Sequence, residues 1–374
     1  MYKATTVLEE SLIRIRWLFD EFENVIACVS GGKDSTIIYH LCLQVASEKG
    51  RLPLKVMWID QEAEWQATVD IVREWMYHPD VEPLWYQFPF KLFNATSGSD
   101  HWLQCWDPAR EKDWMHPKDP VAKTENHYGT DRFKELFGKI TTTDFPNMRT
   151  AVVGGVRAEE SPNRHVSLTY SPKYKWVTWG KVNNKALGHY TFYPIYDWSY
   201  MDVWKAIHEH KWPYNRIYDA QYRYGISVLD MRVSNVHHET AVDNLFYMLE
   251  VEPETYDRLT RRIAGIDMAV KLGHRDYYVR ELPFMFKDWR EYRDYLLVHL
   301  VTVPEWQASM LKKFAYHDVA LGEEIGDEKY KRQIQAILTH DWEGVKLDNF
   351  IHNPKYWDLR RRRRQEAVHG IPTV

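Results

Sequence analysis

Residues 30–35 read Ser-Gly-Gly-Lys-Asp-Ser and follow directly on the apolar run Val25-Ile26-Ala27-Cys28-Val29. The helical run Thr36-Ile37-Ile38-Tyr39-His40-Leu41 comes next. A buried strand that turns on two glycines and opens a helix is the joint of a parallel, helix-covered sheet, where ligands bind beyond the carboxyl ends of the strands. Gly31 and Gly32 have no side chain to keep an oxyanion from the backbone. The amides of the turn and of the first helical turn then point at that anion, with the helix dipole behind them. Ser30 and Ser35 offer hydroxyl donors, and Lys33, or a Mg²⁺ ion near Asp34, offers positive charge. The hexapeptide is not the Walker A pattern, which needs Gly-x-x-x-x-Gly-Lys-Ser/Thr.

The same alternation continues along the chain. Thr6–Phe19 carries Leu8, Leu12, Ile15 and Leu18 at helical spacing. Further strands are predicted at Leu54–Ile59, Glu82–Phe88 and Ala151–Val156, and helices up to Glu48 and at Trp65–Met76 and Tyr200–His210. Ser30, Asp60 and Phe88 then fall at strand carboxyl ends. Residues 89–149 break the rhythm with Trp, His, Asp and Pro, and hold one predicted helix near Asp131–Phe137; a long insertion of this kind suits a substrate-side role. Beyond Val236 the pattern is mainly helical, with Ala241–Leu249, Glu254–Val270, Asp288–Leu300 and Glu323–Leu338 as predicted helices. The reading is therefore an α/β domain over 1–235, carrying the irregular insertion 89–149, and a helical domain over 236–374.

Composition narrows the function classes. With 49 basic and 53 acidic residues, the total charge demands neither nucleic acid nor membrane. The 17 Trp and 24 Tyr mostly fill a core, although flat rings also suit a base. Of the three cysteines, Cys28, Cys42 and Cys105, none forms a Cys-x-x-Cys, so neither structural zinc nor an iron–sulfur cluster is expected. No stretch approaches a membrane span or a signal-peptide core, and a cytoplasmic location is the expectation.

Two further motifs carry information. Gly154-Gly155-Val156-Arg157-Ala158-Glu159-Glu160-Ser161-Pro162-Asn163-Arg164 leaves a strand end. Arg157 and Arg164 there suit a phosphate or sulfate oxyanion, and Glu159 or Glu160 suits orienting an arginine or binding Mg²⁺. Tyr193-Pro194-Ile195-Tyr196-Asp197-Trp198-Ser199-Tyr200-Met201-Asp202-Val203-Trp204 places Ser199 as an N-cap, with Asp202 three residues on.

Residues 30–35 resemble the pyrophosphate loop of the adenine-nucleotide α-hydrolase superfamily. Together with Asp60 closing strand two, residues 155–161 and residues 194–204, they resemble the phosphoadenosine-phosphosulfate (PAPS) reductase family, which includes the small subunit of sulfate adenylyltransferase. The resemblance covers roughly residues 20–235. It implies a Rossmann-like sheet in which Ser30, Gly31, Gly32, Lys33, Asp34 and Ser35, with Gly155, cradle phosphates. It implies Asp60 near the adenosine and Arg157 and Arg164 facing the distal anion. Lys33, Asp34 and Arg157 are the catalytic groups it implies, with Asp34 and Glu62 as Mg²⁺ ligands. The chain departs from the reductases in having no cysteine after Cys105, so the thiolate that attacks the sulfuryl sulfur is missing. Cys105 is the one conceivable substitute. The phrase Asp60-Gln61-Glu62-Ala63-Glu64-Trp65, the helical C-terminal region and the ending 360–370 are similar to a narrower branch of immunoglobulin-binding regulator A-like, sulfotransferase-related proteins, common on prophages and mobile elements.

Other signals are weaker. Arg360–Arg364 suits a nucleic-acid backbone or a salt-bridged helix face. Lys173, Lys175, Lys181 and Lys185 interleave with Tyr174, Trp176 and Trp179. His101, Cys105, His116 and His127 match no familiar zinc spacing. Glu62 and Glu64 share a side if their segment is extended. The leading expectation is an enzyme that binds ATP with Mg²⁺, cleaves between the α- and β-phosphates and transfers adenylate, releasing pyrophosphate. The alternatives are a PAPS-using sulfotransferase or reductase-like protein, and a non-catalytic nucleotide-binding regulator with a protein partner. A homo-oligomer is expected.

Overall fold

The computed structural model describes residues 5–97, 100–233, 235, 237, 245–266, 281–342 and 344–369. The chain divides into two compact units. The first comprises Met1–Leu92, Leu103–Asn235 and Tyr247–Arg262; the second comprises Phe93–Trp102, Val236–Phe246 and Ile263–Val374. The division therefore differs from a single cut after residue 235.

The first unit opens with α1 (Val7–Glu21), held by a reciprocal cap in which Thr6 accepts from Glu9 N and Glu9 accepts from Thr6 N. It continues through β1 (Asn24–Cys28), α2 (Lys33–Glu48), β2 (Leu54–Ile59), α3 (Gln66–Met76) and β3 (Val81–Tyr86). The insertion holds β4 (Phe90–Phe93), β5 (Trp102–Cys105) and α4 (Phe133–Asp144), and so is more ordered than its composition suggests. Then come β6 (Thr150–Val153), α5 (Pro162–Thr169), β7 (Gly180–Asn184), β8 (His189–Phe192), α6 (Tyr200–His210) and α7 (Ile217–Arg223). The strands β7 and β8 and the helix α5 are too short to raise a periodic signal.

The main sheet runs β3-β2-β1-β6-β8-β7. Its first five members are parallel, with Ala27 paired to Val56 on one side and to Val153 on the other; β7 joins β8 antiparallel. The chain winds outward from β1 to β2 and β3, then returns to lay β6 on the other side of β1. The order reverses between β1 and β6, and a crevice opens at such a point beyond the strand ends. The glycine loop leaves β1 there and Gly154–Arg157 leaves β6 there. This adjacency is what positions the site.

The core is dense in aromatics. Trp58 and Trp85 lie 5.2 Å apart between centroids, and Trp179 packs 5.6 Å from Phe192. The Lys/Trp tract belongs to this layer: Tyr174 lies 5.3 Å from Phe22 and Lys175 pairs with Glu21 at 2.7 Å. Packing, not an open stacking platform, accounts for Tyr174 and Trp179.

Two helices, α8 (Leu245–Val251) and α9 (Pro253–Arg262), follow; the expected helices 241–249 and 254–270 extend in part outside the described residues. Glu252 accepts from Gln66 N at 2.8 Å and Ala67 N at 3.0 Å. It thereby caps α3, whose own N-cap residue Trp65 makes no side-chain cap. In the second unit lie α10 (Trp289–His299), α11 (Pro304–Leu321), α12 (Asp327–Leu338), α13 (Val345–Ile351) and α14 (Trp357–His369). Gly322 and Gly326, both at positive φ, separate α11 from α12, so the expected helix 323–338 starts at Asp327. The arginine run lies on α14, where Arg362 meets Glu324 at 2.6 Å and Arg360 meets His352 Nδ1 at 2.9 Å.

Candidate nucleotide site

The turn after β1 is built for glycine. Gly31 has φ +69°, and a Cβ there would lie 2.7 Å from Thr68 Cγ2. Gly32 is the N-cap of α2, in extended conformation and without a side-chain cap. The hydroxyls of Ser35 and Thr36 both donate back to Gly32 O, at 2.9 and 3.1 Å. Ser35 thus commits its proton to the loop's own backbone, whereas Ser30 is exposed. Asn215 Nδ2 donates to Gly31 O at 3.1 Å and to Thr68 Oγ1 at 2.9 Å. Lys33 N donates to the Tyr218 hydroxyl at 3.1 Å.

The second motif docks on the first turn of α2. A Cβ on Gly155 would lie 2.8 Å from both the carbonyl carbon and oxygen of Asp34, and 3.1 Å from Ser35 N. Backbone meets backbone here, and only glycine permits it. Arg157 is 4% exposed. Its Nε donates to Asp34 Oδ1 at 2.5 Å, its Nη1 to Glu159 Oε2 at 2.8 Å and to Trp198 O at 3.4 Å. Glu159 Oε2 also accepts from Tyr200 N at 2.7 Å. Arg164 is exposed and pairs with Glu160. Partial burial and the nearby Arg157 and Arg232 act against its charge, and Asp34 acts for it. Lys33, Arg157, Arg164 and Arg232 therefore share one neighbourhood with Asp34, Glu159 and Glu160. In the third motif Ser199 and Asp202 form the reciprocal cap of α6, with Asp202 Oδ2 accepting from Ser199 N at 2.8 Å.

Two acidic residues singled out in the sequence are fully buried and bonded within the protein. Asp60 is fully buried. Its Oδ2 accepts from Trp85 Nε1 at 3.0 Å and Gln87 Nε2 at 2.7 Å, and its Oδ1 accepts from Glu62 N at 2.9 Å. That carboxylate organises the end of β2. Glu62, also fully buried, sits at φ +62° in a turn, not in extended chain. Its carboxylate accepts from Arg262 Nη2 at 2.8 Å, from Arg262 Nε, and from Trp106 N at 2.6 Å. Its oxygens are directed at those donors, which hold the turn after β2. Asp34 turns one oxygen to Arg157 and the other to Lys33 Nζ at 3.3 Å. Among the described residues no three His, Cys, Asp or Glu side chains converge as metal ligands.

Cys105 is buried and donates to Gln61 O at 3.3 Å. Burial, with Glu62 beside it, holds its thiol well above the ordinary range. Burial also pushes Cys28 up to about 12. Neither is disposed to act as a thiolate.

Tyr218, Asn215 and Arg232 belong to the site, although the motifs do not mark them. A usable signal was Asn215-x-x-Tyr218 just after Pro213: an Asn after a proline turn, followed by an aromatic one helical turn on. No helix among the described residues is long and apolar enough to cross a membrane.

The phosphoadenosine phosphosulfate reductase domain matches residues 24–225. An uncharacterized protein of Escherichia coli K12, YbdN, is 26% identical over 308 residues, spanning 80% of this chain and 76% of its own. Sulfate adenylyltransferase subunit 2 of Shewanella pealeana is 24% identical over 226 residues, spanning 57% of this chain and 66% of its own. Among solved structures, the FMN adenylyltransferase of Candida glabrata with FMN and the ATP analogue AMPCPP aligns at a TM-score of 0.37 and 14% identity, over 63% of this chain and 66% of that one.

Proposed function

This chain belongs to the phosphoadenosine phosphosulfate reductase domain family, and on that premise we propose that it is an ATP-using adenylyltransferase that releases pyrophosphate. The observation that carries the reading is the seating of Gly155 against the Asp34–Ser35 backbone. It brings the arginine motif onto the N-terminus of α2, whose N-cap Gly32 offers no side chain, so polyphosphate lying on the loop amides has Lys33 and the arginines beside it. Catalysis in this reading rests on positioning and charge neutralisation. The turn and first-turn amides orient the β- and γ-phosphates as a leaving group. Lys33 and Arg157 neutralise charge as pyrophosphate departs, and an acceptor attacks the α-phosphorus. Asp34 keeps the Arg157 guanidinium in register. Magnesium, if used, arrives on the nucleotide's own phosphates, because Asp34 and Glu62 are both engaged by cationic side chains.

The buried state of Cys105 weighs against a thiol reductase. The relative named as a subunit of sulfate adenylyltransferase supports a working partner protein for this chain. The acceptor in this reading is sulfate or a group on a protein or nucleic acid.

The test is product analysis with [α-³²P]ATP and candidate acceptors. Pyrophosphate with a labelled AMP adduct is the expected outcome, and the Cys105→Ala variant should turn over within about twofold of the parent. Release of ADP and phosphate would overturn the reading. Calorimetry with PAPS in parallel decides the nucleotide: binding of PAPS but not ATP would favour the sulfuryl-transfer alternative.

A further inference from the structure

The hydroxyl of Tyr218 accepts the first helical amide of α2, Lys33 N, at 3.1 Å. The same oxygen would lie 3.3 Å from a Cβ on Gly32, so it stands directly over the turn. Tyr218 is only 3% exposed. A phenol has one proton to donate as well as lone pairs to accept with. Here a lone pair is taken by Lys33 N–H, and the proton meets no acceptor among the described residues. A buried hydroxyl proton left unbonded is destabilising, and such a group ordinarily finds a partner. The charges around it are Lys33, whose Nζ lies 5.6 Å from the Tyr218 ring centroid, and Asp34, Arg157 and Arg232. Lys33 and Asp34 open α2 after the loop, and Arg157 bonds to Asp34.

The ring is held against rotation. Trp204 packs edge-on at 5.2 Å between centroids. Three residues upstream Asn215 is fully buried, bonded to Gly31 O and Thr68 Oγ1, and accepts from Ile217 N at 3.0 Å. Asn215 and Tyr218 thus grip the loop at its carbonyl and at its amide, from the start of α7.

We propose that Tyr218 is a ligand-binding residue of the loop: its hydroxyl keeps the Lys33 amide in register and donates its free proton to a phosphate oxygen of the bound polyphosphate. The proposal rests on the nucleotide reading above and adds a buried, neutral donor to a cradle of backbone amides, the Ser30 hydroxyl and cations. A neutral donor fixes orientation without adding charge, which suits a group that must leave as pyrophosphate.

The Tyr218→Phe variant tests it by calorimetry with ATP, inorganic pyrophosphate and AMP. The expected result is weakening of ATP and pyrophosphate by about 10- to 100-fold, as for one hydrogen bond to a charged group, with AMP affinity unchanged. Equal affinity of variant and parent for pyrophosphate would overturn the proposal. So would equal weakening of all three ligands, which would mean a purely structural role. If the parent protein itself binds neither ATP nor pyrophosphate, the nucleotide reading fails instead. A second readout is independent of the variant's ligand affinity. In protein labelled with ¹³C at tyrosine Cζ, the resonance missing from Tyr218→Phe should move in the parent when pyrophosphate is added. A resonance that stays in place at saturating pyrophosphate would also overturn the proposal.

Discussion

Arg157 and Asp34, 123 residues apart in the chain, meet through Nε and Oδ1 at 2.5 Å. This contact ties the loop leaving β6 to the first turn of α2. It also presets a guanidinium that would otherwise be a long, mobile side chain, so a ligand need not pay to order it.

Arg157→Ala is therefore expected to act on both binding and stability. The variant leaves Asp34 and Glu159 without their shared cation. Nucleotide affinity should fall at least tenfold, and urea unfolding should show a loss of about 2 kcal/mol, below the range for a fully buried pair because Asp34 is partly exposed. Arg157→Lys keeps the charge but not the fork, and should recover stability better than affinity.

The Gly155 contact makes a sharper test. A methyl group at Gly155 would meet Asp34 backbone atoms at 2.8 Å, and backbone cannot rotate away. Gly155→Ala should displace the first turn of α2, cost about 1–3 kcal/mol and abolish measurable nucleotide binding. Gly138 lies inside α4, and a methyl group added there would have nothing within 4 Å. Gly138→Ala should stabilise the protein by about 0.5–1 kcal/mol through helix propensity alone and leave binding unchanged. Thermal denaturation and calorimetry on the pair separate the two effects.

The buried Glu62–Arg262 pair predicts a structural phenotype and not a metal one. Arg262→Met strands a carboxylate that is fully buried, and a loss of about 3–5 kcal/mol is expected in equilibrium unfolding. Glu62→Gln should leave the magnesium dependence of any turnover where it is in the parent, since Arg262 and Trp106 already engage that carboxylate. A shift in the magnesium requirement would contradict this assignment.

His40 predicts a pH effect. Its ring stacks 4.8 Å from Trp212, its Nε2 has no partner among the described residues, and burial, then His78 and His210, hold it down to about 4 from the usual 6.5. The folded state binds its proton less readily than the unfolded chain does. The stabilisation is therefore complete above pH 6.5 and is lost as pH falls toward 4. Melting temperatures of parent and His40→Phe, measured from about pH 7 down to about pH 5, should show the parent falling faster toward the acid end.

Legibility varied with range. The joint Val25–Ser35 was readable because strand, turn and helix lie within eleven consecutive residues and each obeys a local rule. Ser199 and Asp202 were readable as a cap for the same reason. Within 89–149 the helix near Asp131–Phe137 was readable and falls on α4 (Phe133–Asp144), but β4 and β5, four residues each, carry no period. Asp60 was placed near the adenosine by resemblance, and Glu62 was read for Mg²⁺ on the premise of an extended segment, whereas it sits at φ +62°. Nothing near them in sequence announced Arg262 or Trp106.

Local covalent chemistry, then, was enough to determine that β1 ends in a bend only glycine can make and that a helix amide cluster follows it. Which polar groups remain for a ligand was decided in three dimensions, because a carboxylate's or phenol's role depends on which donors, acceptors and apolar walls replace its water. Those neighbours come from far along the chain: Arg262 for Glu62, Gln87 for Asp60, Lys33 for Tyr218. Desolvation and pairing are properties of the packed neighbourhood, and no window of sequence contains one.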